Sequence, residues 1–116
     1  MFMILFVLDD PEKLLEVLDA WEKVGIKGVT IIESTGMHRV RRQFVSVRYV
    51  SALFDQEESH LTLLAIVEEE TSIQTSLDAT EAVVGDLDSG NTGIFTAWPL
   101  QSVKGLGKKD NCDGLA

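Results

Sequence analysis

The sequence predicts an α+β domain of ferredoxin-like type, βαββαβ with a long loop between the second and third strands, which associates with further copies of itself. Three observations lead there. Short apolar runs alternate with stretches of helical periodicity in the order strand, helix, strand, then strand, helix, strand. Glycines stand where each helix should stop, at Gly25 and Gly85. Two of the strands, Phe2 to Leu8 and Leu61 to Val67, are apolar on both faces, whereas an antiparallel sheet covered by helices on one side alternates apolar with polar residues. Leu61, Leu63, Ala65 and Val67 share one face, and Leu64 and Ile66 share the other with Thr62. The second apolar face calls for a cover, and another subunit is the simplest one.

Each element has its own local signal. The run MFMILFVL reads as a strand that gives way to a helix start, with Asp10 as cap and Pro11 at the first helical position. Leu14, Val17, Leu18 and Trp21 then recur at helical spacing, while Lys13, Glu16, Asp19 and Glu22 take the other side. Gly28 to Glu33 is β-branched and makes the second strand, broken at Gly36. Residues 37–60 carry mixed signals. Val45, Val47 and Tyr49 alternate like a strand, Val50, Leu53 and Phe54 fit one face of a short helix, and the segment reads as a long, partly ordered loop of effector type. Leu61 to Glu69 is the third strand. Ser72 to Val84 is a weaker amphipathic helix with Ile73, Leu77 and Val84 inward, and Gly93 to Leu100 is the fourth strand, with Pro99 marking an edge. The domain then spans residues 1–106, and the polar tail 107–116 is expected to be disordered.

A chain of 116 residues is enough for one hydrophobic core, and 45% hydrophobic with 25% charged residues is the composition of a globular protein. The net charge of −9 argues against general binding to nucleic acid, whose phosphates such a surface repels. Yet all four arginines fall between residues 39 and 48. The opening apolar run has no basic leader and is well short of the roughly 20 residues a membrane span needs, so the expected location is cytoplasmic. Cys112 is the only cysteine, which excludes an internal disulfide and a tetrahedral cysteine metal site within one chain.

The stretch GIKGVTIIESTGMHR, Gly25 to Arg39, together with the order of elements, resembles the PII signal-transduction family. In that family Gly-Ile-x-Gly-Met-Thr leads through a strand to Gly-x-Gly-Arg at the base of a long effector loop. Gly25, Ile26, Gly28, Thr30, Glu33, Gly36 and Arg39 fall at matching positions, as does a glycine-rich turn ahead of Ile94 and Phe95, within VVGDLDSGNTGIF. The resemblance covers the chain except its tail. It implies a homotrimer with sheets packed around a central axis and adenine nucleotides in the clefts between subunits. It also implies a partner, a regulated enzyme or membrane transporter, reached through the loop. On this resemblance the ligand-binding residues are Gly28, Thr30, Gly36, His38, Arg39, Gly90, Asn91, Thr92 and Lys104. The chain also departs from the family. His38 replaces the second glycine of the loop base, Gly93 stands where the family usually has a phosphate-binding lysine, and Lys104 and Leu106 stand roughly where a pair of arginines would complete that site.

The residues themselves leave two readings open at most of these positions. Arg39, Arg41, Arg42 and Arg48 offer planar forks of donors suited to phosphate or carboxylate, and they equally neutralise a glutamate-rich surface. GDLDSGNTG has the glycines to turn backbone N–H groups toward an anion, but its own Asp86 and Asp88 oppose one, and it also serves as a plain helix-to-strand turn. Thr30 can hydrogen-bond a base edge or simply be a β-branched strand residue. His38 and His60, with Glu57 and Glu58 nearby, support an alternative function, a metal-binding trimer resembling the divalent-cation-tolerance proteins. Trp21 and Trp98 read as core or interface residues. There is no nucleophile with a paired base, so a non-enzymatic role is expected.

Overall fold

The computed structural model describes residues 1–35, 60–90 and 92–106. The expectations for the loop from Met37 to Ser59 and for the tail lie outside these residues, as do Gly36, His38, Arg39 and Asn91. The described chain runs β1 (Phe2–Leu8), a 3-10 turn (Pro11–Lys13), α1 (Leu14–Lys23), β2 (Thr30–Ser34), β3 (His60–Val67), α2 (Glu70–Val84) and β4 (Gly93–Pro99). Its strands form one antiparallel sheet in the order β2-β3-β1-β4. This α+β arrangement is compatible with the ferredoxin-like fold. Among the described residues no helix is long and apolar enough to cross a membrane.

Local chemistry explains the boundaries. Asp10 Oδ1 accepts the Glu12 N–H at 3.1 Å and caps the entry to α1, with Pro11 beside it where no donor is needed. Gly25 and Gly85 follow the helices at φ of 100° and 95°, a region that costs other residues steric strain. The second helix begins at Glu70, two residues earlier than its periodicity suggests, and the third strand begins at His60 and ends at Val67.

The core lies between the sheet and the two helices. Ile4, Phe6 and Leu8 of β1 and Leu63, Ala65 and Val67 of β3 are buried against Val17 and Trp21 of α1, with Ile26 sealing one end. Phe6 packs its ring 6.3 Å from Trp21 and 6.4 Å from Phe95, at tilted angles that suit aromatic quadrupoles. Fully burying a side chain of this size contributes roughly 1.5–3 kcal/mol. On α2 the fully buried residues are not the expected apolar ones but Ser76 and Thr80, while Ile73, Leu77 and Val84 are only partly buried. The reason is Trp21, whose bulk fills the space between the helices and leaves room there only for small side chains. Each hydroxyl is satisfied within the helix: Ser76 Oγ donates to the Ser72 carbonyl at 2.6 Å and Thr80 Oγ1 to the Ser76 carbonyl at 2.7 Å.

The other face of the sheet carries Met3, Leu5, Leu64, Ile66, Ile94 and Trp98, and no described element covers it. Ile94 and Trp98 are 60% and 41% exposed, so the two-sided apolar pattern of the strands is present as expected.

Gly93 opens β4 at φ of 134°, and a Cβ built there would lie 2.1 Å from the Val7 carbonyl oxygen. Both facts demand glycine. Gly93→Ala is expected to destabilise the chain by roughly 1–3 kcal/mol, read as a lower denaturant midpoint. An unchanged midpoint would mean that the β1–β4 edge opens without cost.

Candidate ligand-binding site

The site begins where α1 ends. The N–H groups of Val24, Gly25 and Ile26 bond back to the carbonyls of Trp21 and Glu22 at 3.0–3.2 Å, and burial of Ile26 pins the exit of the chain. Lys27, Gly28 and Val29 follow outside the ladder, because pairing with β3 starts only at Thr30, opposite Leu64. Ala65, Ile66 and Val67 are therefore paired with β1 on one side and not with β2 on the other. The gap is a cleft of about 820 Å³ whose lining includes Met3, Ile26, Lys27, Gly28, Thr30 and Leu106. Its walls are largely aliphatic. Lys27 is the only cation of the described lining, and Glu68 the only anion.

Of the sequence-predicted site residues, Gly28 and Thr30 line this cleft. Lys104 is exposed two residues before Leu106, which also lines it. A Cβ at Gly28 would meet nothing within 4 Å, so no crowding within the described chain requires glycine there. Sequence reasoning missed Lys27. Its signal was its position between two glycines beside the strand, where a long side chain stays in solvent.

Gly90 and Thr92 lie elsewhere. They precede Gly93, which pairs with Leu8 at the opposite end of β1 and on the opposite edge strand from Thr30. Three inter-strand steps, roughly 14 Å, separate the two edges. The turn is held by the chain's own acceptors. Leu87 N–H donates to Glu81 Oε2 at 3.0 Å and Asp88 N–H to Asp86 Oδ1 at 2.9 Å. Ser89 Oγ donates to the Asp86 carbonyl at 2.6 Å, and Thr92 Oγ1 lies 3.2 Å from that carbonyl and 3.1 Å from the Ser89 carbonyl. The N–H groups offered for an anion at Leu87 and Asp88 thus face internal carboxylates.

A third cluster sits where the end of β2 meets the start of β3. Ser34 pairs with His60, its Oγ lies 2.8 Å from Thr62 Oγ1, and His60 Nε2 lies 3.6 Å from Asp9 Oδ1. Among the described residues no group of three histidine, cysteine or carboxylate side chains is placed to hold a metal ion.

Fold and site together define a small α+β domain with an open apolar sheet face and a cleft at one edge. No protein-family model matches the chain, and no curated protein matches it.

Proposed function

We propose that the chain is one subunit of a PII-like trimeric regulator. It binds a small anionic ligand, an adenine nucleotide first among the candidates, in clefts between subunits, and it signals to a regulated enzyme or membrane transporter through residues 37–60. The observation that carries the reading is the uncovered apolar sheet face of Met3, Leu5, Leu64, Ile66 and Trp98, which a second copy covers at the least desolvation cost. The split site supports the same reading. Gly28 and Thr30 on one edge and Gly90 and Thr92 on the other act on one ligand only if neighbouring subunits bring the edges together. Lys27 and the aliphatic cleft wall suit a ligand with an apolar ring and an anionic end.

Native mass spectrometry at micromolar concentration is expected to show three subunits. In a thermal-shift screen an adenine nucleotide at 100 times its Kd is expected to add about 2.7 kcal/mol of stability, ahead of bicarbonate and divalent metals. A monomer would remove the inter-subunit site, and stabilisation by metals alone would favour the metal-binding alternative.

A further inference from the structure

We infer that residues 107–116 dock in the cleft of their own chain, as an extended strand on the outer edge of β3, and so compete with the ligand for that site. The inference rests on the reading of the cleft as a ligand site, and its starting point is the path of the chain after β4. Leu100 N–H donates to the Met1 carbonyl at 2.9 Å, so the chain leaves β4 across the start of β1. By Leu106 it lines the cleft together with Val67 and Glu68, at the far edge of the sheet from β4. Three inter-strand steps, roughly 14 Å, are within reach of residues 100–106. Residue 107 is thereby delivered to a stretch of strand that lacks a neighbour. Ala65, Ile66 and Val67 pair with β1 and, among the described residues, with no strand on their other side. Along an antiparallel strand alternate residues turn their N–H and C=O to opposite sides, so this stretch directs backbone donors and acceptors into the cleft. An incoming segment satisfies them by adding as a strand. Arriving from the Val67 end it runs antiparallel to β3, in the row that β2 enters at Thr30.

The sequence after Leu106 fits that place. No proline interrupts residues 107–116, and Lys108 and Lys109 are their only cations. Glu68, Glu69 and Glu70 are all exposed where β3 gives way to α2, with Glu68 on the cleft lining. The lysine stems can lie along the aliphatic wall while their ammonium groups meet these carboxylates. A polar composition is no obstacle, because the tether holds the segment at an effective concentration of about millimolar, and pairing over a few residues then suffices.

Amide hydrogen exchange of the full-length protein, followed residue by residue by NMR without ligand, tests the docking. The cleft-facing amides among Ala65, Ile66 and Val67 are expected to exchange about tenfold faster in the double variant Lys108→Pro, Lys109→Pro than in wild type. One of two consecutive strand residues must direct its N–H at β3, so the pair removes a ladder donor in either register. Lys108→Glu with Lys109→Glu keeps the donors and reverses the charges, and is expected to give a smaller rise of about threefold. Titration calorimetry with ATP then reads the competition. The proline variant is expected to bind ATP about fivefold more tightly than wild type, because no docked segment has to leave first. Unchanged exchange in the proline variant overturns the docking and leaves the nucleotide reading standing. Faster exchange with equal or weaker ATP binding overturns the competition. Faster exchange with no ATP binding by either protein overturns the nucleotide reading and upholds the docked segment.

Discussion

Replacing Trp21 by alanine is expected to cost about 3–5 kcal/mol, the usual range for deleting a large aromatic side chain from a core. Trp21 is fully buried, touches the Phe6 ring, and donates its Nε1–H to Thr80 Oγ1 at 2.8 Å across 59 residues of sequence. It therefore joins α1 to α2 and both to the sheet. Because small domains hold only about 5–15 kcal/mol in total, the variant should sit close to its unfolding threshold at 37 °C. A milder variant separates packing from hydrogen bonding. Thr80→Val keeps the volume but leaves the indole N–H buried without an acceptor, and is expected to cost about 1–3 kcal/mol. Urea denaturation measures both. A loss under 1 kcal/mol for Trp21→Ala would mean that the helices close over the space, and the central role given to this residue would be wrong.

Ile66→Asp is expected to dissociate the assembly while leaving each subunit folded. Ile66 projects from the open face near the end of β3, opposite Met3 of β1 and beside the cleft, and is only half-buried in the single chain. A carboxylate there meets water in a free subunit. In an interface it is buried without a partner, a penalty of several kcal/mol for each copy. Sedimentation of the variant should give a monomer whose far-ultraviolet circular dichroism matches wild type. Leu15→Asp is the control. Leu15 is 77% exposed on α1, away from the sheet, and its variant should assemble normally. Should Ile66→Asp remain a trimer, the sheet face is not the contact surface.

The two variants also mark how far the sequence could be read. The strands, both helices, the Asp10 cap and the glycine stops at Gly25 and Gly85 were legible because each rests on side-chain periodicity or backbone sterics within a few residues. The doubly apolar character of β1 and β3 was legible for the same reason, since alternation along a strand reports both faces at once. The sites were legible only as residue types in suggestive order. That Gly28 and Thr30 share a cleft follows from a ladder that starts at Thr30 rather than Gly28, and strand register is set by pairing with a distant segment. The polar inner face of α2 escaped the hydrophobic pattern because Ser76 and Thr80 are buried by Trp21, a partner that helical periodicity cannot name. The turn after α2 kept the glycines of an anion cradle, yet only the folded chain brought Glu81 within 3.0 Å of the Leu87 N–H and filled it. Sequence by itself determined what short-range sterics and alternation encode, the elements and the two apolar faces of the sheet. Tertiary structure alone decided which groups meet across long separations, because those meetings depend on packing and register.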